Sequence, residues 1–299
     1  TFNGNNHTIT YQASFTSTED NEKIGLFEIV SGTITNLNLD ANITVSGTNA
    51  QVKVGLLCGQ LEDGGTIEFC DVTGNINSTA KAGGSGNAST GLIIGNSFGD
   101  LQYCTGHGNV TGVGYVGGLV GSMGNIIDNC QASYTPLIKG CYFTGNVTAN
   151  NSNSLAELGG QVGEYIKTKS YGGGICGTMR APAVIDLCVA EAIIVVGQNA
   201  AGITNTTLGD SWTGLSGDCG IAQNNYATGT IYANGSTNGV PITSSNLVHR
   251  GLSWTTNPTP NGSPNYPTNS VTDLQTIVDN LNDKRCPDAN NCDNHFYFA

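Results

Sequence analysis

Val116-Gly117-Gly118-Leu119-Val120-Gly121 decides the fold, because variants of it recur along most of the chain. Ile24-Gly25-Leu26-Phe27, Val54-Gly55-Leu56-Leu57-Cys58-Gly59, Thr90-Gly91-Leu92-Ile93-Ile94-Gly95, Gly173-Gly174-Ile175-Cys176-Gly177 and Ala201-Gly202-Ile203 are its relatives. A second phrase follows each by roughly a dozen residues, except where insertions after Val116 and Ala201 delay it. It reads Cys70-Asp71-Val72-Thr73-Gly74-Asn75-Ile76, then Cys104-Thr105-Gly106-His107-Gly108-Asn109-Val110, then Cys141-Tyr142-Phe143-Thr144-Gly145-Asn146-Val147. Leu37 to Ile43 opens the series, and Cys188 to Val195 and Asn225 to Ile231 are looser late copies. A unit of roughly 30 residues that cannot bury its apolar side alone must stack on copies of itself.

The composition fits short strands and tight turns. The 299 residues include 43 glycines and only 11% charged residues. Apolar residues come in β-branched bursts separated by Gly or Asn, which tolerate positive φ at bends. The expected fold is therefore all-β: a right-handed parallel β-helix of about seven three-strand coils, a rod ~34 Å long at ~4.8 Å per coil. In the second copy the expected strands are Gly55 to Cys58, Thr66 to Val72 and Asn75 to Asn77. Leu56, Cys58, Ile67, Val72 and Ile76 point inward. Irregular spacing predicts projecting loops at Thr16 to Lys23, Glu62 to Gly65, Lys81 to Ala88, Asn150 to Tyr171 and Thr206 to Gln223.

The solenoid is assigned to residues 1–249 and a different segment to 250–299. Asn257 to Thr268 holds four of the eight prolines. Beyond it, Ser270 precedes Val271, Leu274, Ile277, Val278 and Leu281, an apolar stripe at helical spacing with an N-cap residue. That short helix is expected to cap the last coil, whose open edge would otherwise be sticky. Thr1 to Ile9 already reads as strand, turn and strand, so further residues are expected upstream.

Net charge of −12 argues against nucleic acid or an anionic membrane as partner. No stretch has the apolar length of a membrane-spanning helix. Ten cysteines and ten Asn-x-Ser/Thr sequons, at Asn6, Asn42, Asn77, Asn87, Asn109, Asn146, Asn150, Asn205, Asn234 and Asn261, fit an extracellular, oxidising setting. Cys70, Cys104, Cys141 and Cys188 share one repeat position, and Cys58 and Cys176 another. Those columns read either as small buried hydrophobes or as bonded pairs. Cys286 and Cys292 flank a polar loop and are the candidate local disulfide.

The paired phrases resemble the GLUG-motif repeats of large secreted and cell-surface proteins, over roughly residues 1–235. The opening Thr-Phe-Asn-Gly-Asn-Asn-His-Thr-Ile is similar to the segment that often precedes such repeats. The resemblance implies a surface-exposed, adhesin-like setting and supplies no catalytic residue. This chain departs from it in its many cysteines, in long fourth and sixth units, and in a last first-phrase copy without its closing glycine.

The chemistry of an enzyme would require carboxylates gathered from neighbouring coils. Glu68, Asp71, Asp100 and Asp128 are the candidates, but Asp100 and Asp128 stand at different distances from Cys104 and Cys141. Lys53, Lys81, Lys139 and Arg180 are isolated in sequence. His107 sits in a Gly-His-Gly turn, and no His or Cys spacing suits zinc. No catalytic residue, metal ligand or cofactor is assigned. Phe69, Tyr103, Tyr142 and Tyr226 adjoin the repeated Cys position and are candidate contacts for a glycan or a partner. Thr73, Thr105 and Thr144 fall near equivalent positions without sharing a register. The leading reading is an extracellular structural or adhesive protein, a rigid rod that assembles into filaments or binds surface glycans or proteins. The alternative is a polysaccharide-active β-helix lyase or glycoside hydrolase.

Overall fold

The computed structural model describes residues 1–19, 21–47, 51–80, 88–124, 134–150, 170–180, 183–197, 199–206, 221–233, 235–242 and 247–250. Every regular element among them is a strand, and the strands form four sheets, seven, eight, six and seven strands deep. Neighbours in each sheet come from successive repeats. Thr66–Glu68, for example, pairs in parallel with Thr33–Thr35 on one side and Asp100–Gln102 on the other. The chain is a parallel β-solenoid, as the repeats require.

Each of the first six rungs carries four strands, not three. The second rung runs Thr33–Thr35, Asn38–Gly47, Lys53–Val54 and Cys58–Leu61, one strand in each of the first to fourth sheets. Two local effects shifted the boundaries. The Gly-Leu-x-x-Gly phrase is an arch, with one short strand on each leg. A Cβ on Gly91 would lie 2.4 Å from the Ile94 carbonyl oxygen, and one on Gly95 2.5 Å from the Val54 nitrogen. Glycine on both legs is what lets backbone meet backbone there. The strand Asp71–Ser78, in contrast, passes unbroken through Gly74, so Asn75 to Asn77 is no separate strand. Its corner lies earlier, at Phe69, which has φ 53°.

That corner repeats. Asn36, Phe69, Tyr103, Gly140, Leu187 and Asn224 all have φ between 52° and 60°, and each precedes a buried residue: Leu37, Cys70, Cys104, Cys141, Cys188 or Asn225. Inside, register stacks like on like. Ile43, Ile76, Val110, Val147, Ile194 and Ile231 form one column of the second sheet, and all are buried. The inward column two places along compensates for size. Gly106 stands below Phe143, and Phe143 also fills the space where a Cβ on Gly118 would come within 2.4 Å of its ring. Leu56, Leu92 and Leu119, the leucines of the arch, are wholly buried.

The two edges of the second sheet differ. Gly239–Pro241 folds back antiparallel on Tyr226–Ala233 and places a proline, which offers no N–H, on that edge. The opposite edge strand, Thr8–Ser17, has a partner on one side only. Phe2, Phe15 and Ile29 are exposed in that first rung. The expected capping helix, the Cys286/Cys292 pair and all of the segment 250–299 beyond Arg250, which ends a fourth-sheet strand, lie outside the described residues. Among the described residues no helix is long and apolar enough to cross a membrane.

Candidate functional site

The second sheet presents its outward residues in straight columns. One runs Thr10, Asp40, Thr73, His107, Thr144, Glu191, Thr228; the next Gln12, Asn42, Asn75, Asn109, Asn146, Ile193, Thr230; the third Ser14, Thr44, Asn77, Thr111, Thr148, Val195, Tyr232. Thr73 and Thr144 thus share a register, while Thr105 stands in another column, between Asp71 and Tyr142. The middle column is an amide ladder. Asn75 Nδ2 donates to Asn42 Oδ1 at 2.8 Å, Asn109 Nδ2 to Asn75 Oδ1 at 2.7 Å, and Asn146 Nδ2 to Asn109 Oδ1 at 2.7 Å. These amides are exposed, yet each is oriented by the next, so the face is flat, polar and preorganised. Parallel rungs place equivalent groups ~4.8 Å apart along the rod and alternate residues ~6.6 Å apart along the strand.

The four candidate aromatics do not form one row. Phe69 and Tyr103 stack at the left-handed corner, ring centroids 5.4 Å apart and planes 12° off parallel. Tyr142 and Tyr226 follow the buried position instead of preceding it, and share a column of the second sheet interrupted by Val189. Glycine at 140 takes the corner in that rung, which moves the aromatic one residue on and onto the strand. Tyr142 is buried, donates to Glu191 Oε2 at 3.0 Å and meets the His107 ring edge-on at 5.6 Å. Burial, with Glu191 adding to it, pushes its hydroxyl up to about 12.

The candidate acids are likewise dispersed. Glu68 is in register with Gln102, two residues past Asp100, and Asp71 accepts a hydrogen bond from the Thr105 hydroxyl. Asp100 accepts from the Leu137 N–H at 3.1 Å and is bonded by Tyr134. Burial raises its carboxyl above the ordinary range despite those bonds. Asp128 lies outside the described residues. Among the described residues no three His, Cys, Asp or Glu side chains could hold a metal ion.

Of the sequons, Asn6, Asn42, Asn77, Asn109 and Asn146 are exposed and Asn150 is half-buried. Asn205 is a correction. It is fully buried, its Nδ2 donating to the Gly172 carbonyl at 2.9 Å and the Gly177 carbonyl at 2.8 Å, which leaves no room for a sugar. Its place has a sequence cause: the last arch lacks the closing glycine, the register slips between Cys176 and Thr178, and the asparagine amide fills the gap. Asn87, Asn234 and Asn261 lie outside the described residues.

The six described cysteines, Cys58, Cys70, Cys104, Cys141, Cys176 and Cys188, are buried, and no disulfide joins any two of them. Those of the corner column accept from the rung before: the Cys70 N–H reaches Cys104 Sγ at 3.4 Å and the Cys104 N–H reaches Cys141 Sγ at 3.5 Å. Each in turn contacts a carbonyl, as Cys104 Sγ does that of Gln102 at 3.2 Å.

One cluster had no sequence signal. The arch glycines seat each fourth-sheet strand on the third-sheet backbone one rung earlier: Gly59 on Lys23 and Ile24, Gly95 on Lys53 and Val54, Gly121 on Ser89 and Thr90. A polar seam results. Lys23, Lys53, Ser89, Tyr115 and Tyr171 follow one another in register on the third sheet. Arg180 crosses from the end of the fourth-sheet strand Cys176–Met179, its Nη2 donating to the Tyr115 hydroxyl at 3.1 Å and its guanidinium carbon 5.4 Å from the Tyr115 ring centroid. Tyr115 and Tyr171 lie 5.1 Å apart. Burial, then the charges of Arg180 and Lys23, lowers the Lys53 ammonium from 10.5 to about 8. Lys53 and Arg180, isolated in sequence, are thus within each other's field. Ordinary periodicity could not reveal this, since register between distant rungs decides it.

No family model, curated protein or solved structure matches the chain.

Proposed function

We propose that this chain is a structural and adhesive module of an extracellular surface, a stiff solenoid whose second-sheet face docks on surface glycans or on another copy of itself. The observation that carries the reading is the exposed, ladder-ordered face of Asn, Thr and Ser columns, in which Asp40, His107 and Glu191 are the only acidic or basic side chains. Groups already fixed by their neighbours lose little freedom on binding, and a regular array suits a regular polymer. The resemblance to GLUG-motif repeats supports a surface setting, and exposed sequons on the same face fit secretion. The dispersal of Glu68, Asp71 and Asp100 leaves the enzyme reading without an observation in its favour.

The test is co-sedimentation with insoluble neutral polysaccharides, cellulose and chitin, alongside electron microscopy of concentrated protein. Binding or ordered assembly that is lost on Thr73→Glu with Thr144→Glu is the expected result. Protein that stays in the supernatant and dispersed as monomers would overturn the proposal.

A further inference from the structure

We infer that the end of the amide ladder on the second sheet is a seat for the acetamido group of a chitin-type polymer of N-acetylglucosamine. The inference rests on the surface reading above and names the sugar that this face takes. The ladder has a direction. At each rung the asparagine Nδ2 donates to the Oδ1 of the rung before, from Asn146 through Asn109 and Asn75 to Asn42. Each Oδ1 therefore faces the rung after it, and the last, that of Asn146, faces the rung of Ile193. Isoleucine has no side-chain donor to offer, and among the described residues none is bonded to that oxygen. Aligned amides polarise one another, so negative charge gathers at the acceptor end of the row.

The groups around this oxygen are in register and open to solvent. Asn146 is exposed, and Ile193, its partner in the next strand, is 47% exposed. Val195 extends the apolar surface along the strand, and Glu191 flanks Ile193 on the other side, held by the Tyr142 hydroxyl at 3.0 Å. Half-buried Tyr232 follows Val195 in register. An acetamido group matches this arrangement. Its N–H donates to Asn146 Oδ1 and continues the ladder by one more amide, while its methyl covers Ile193 and Val195. Glu191 is placed to accept from a sugar hydroxyl, and the Tyr232 ring offers apolar surface to the adjoining pyranose. A plain glucan carries a hydroxyl where the acetamido group stands. It can donate to Asn146 but leaves Ile193 wet. Asp40 and Glu191 on this face, in a protein of net charge −12, disfavour sugars that carry carboxylates, such as the muramyl units of peptidoglycan.

The test is NMR titration of the isotope-labelled full chain, made in bacteria so that the Asn146 sequon carries no glycan. The ligands are chitohexaose and cellohexaose, its counterpart without acetamido groups. Chitohexaose is expected to shift the Asn146 side-chain amide signal, identified by its loss in Asn146→Asp. It should bind about tenfold more tightly than cellohexaose, the worth of one good hydrogen bond. Ile193→Asn supplies the missing amide from the protein itself and should abolish that preference. Ile29→Asn, at a comparably exposed isoleucine of the first rung, should leave it intact. Chitohexaose binding no tighter than cellohexaose, an unmoved Asn146 signal, or a preference that survives Ile193→Asn would overturn the inference. So would retention on peptidoglycan with silence towards chitohexaose. Equal co-sedimentation on chitin and cellulose, indifferent to Ile193→Asn, would remove this inference and leave the surface reading standing.

Discussion

Replacing Gly108 by alanine isolates one reason for the Gly-Asn pair of the second phrase. Gly108 sits mid-strand at φ 150°, and a Cβ built on it would lie 1.7 Å from the Gly74 carbonyl oxygen, where ordinary contact begins at 3.4 Å. Gly74, Gly145 and Gly229 repeat the arrangement at φ 142°, 147° and 121°. Alanine must either hold that backbone, at ~1–3 kcal/mol of strain, or push adjacent rungs apart, at ~1–3 kcal/mol more. The expected destabilisation is therefore about 2–6 kcal/mol, read from urea unfolding followed by far-ultraviolet circular dichroism. The same column carries Ala41 and Ala192, neither at positive φ. Ala192→Gly should accordingly cost only ~0.5–1 kcal/mol, the ordinary penalty of glycine in a strand. A Gly108→Ala protein within 0.5 kcal/mol of wild type, by this scale of ordinary surface changes, would refute the claim that these glycines are dictated by the neighbouring rung.

Other substitutions probe the core, the seam and the thiols. Ile138→Ala, fully buried, should cost ~2–5 kcal/mol, while Ile193→Ala, 47% exposed, should stay within ~0.5 kcal/mol; equal effects in denaturant would contradict the assigned faces. Lys53 is held at about 8 when folded against 10.5 ordinarily, so between those values the unfolded chain binds more protons and wild-type stability rises with pH. Lys53→Met should thus be more stable than wild type by up to about 3 kcal/mol below pH 8, the advantage fading by pH 10.5; a pH-independent difference would refute this. Burial pushes the Cys176 thiol up to about 12 and the Cys58 and Cys104 thiols well upward. An aromatic disulfide reagent at pH 8 should therefore modify these three only after denaturant is added, and rapid labelling of the folded protein, mapped by mass spectrometry, would count against their burial.

The sequence was informative wherever a repeat position faces a single environment. Inward Ile and Val of the second phrase, the shared Cys position and the arch leucines could be placed because each column repeats its physical demand at every rung. Strand number was harder. Third-sheet strands such as Lys53–Val54 are two residues long, too short for alternation to register, and the arch glycines look like ordinary turn residues. The site was the least legible part. Phe69, Tyr103 and Tyr142 all adjoin the repeated Cys position in sequence, but only the first two stack; Tyr142 differs from them by one residue of corner placement, which Gly140 decides. The meeting of Lys53 with Arg180 depends on the offset between facing strands of different rungs, and no single repeat encodes that offset.

The sheets have a mechanical consequence. Their interstrand hydrogen bonds, such as those joining Asp71–Ser78 to Thr105–Val113, point from rung to rung. Tension along the solenoid axis therefore loads these bonds end-on, a few at a time, so the molecule should extend by peeling successive rungs at modest force. A pull across the axis is carried by covalent chain within a rung and by many bonds in shear. Such a body gives way from its ends, rung by rung, before it gives way across its width.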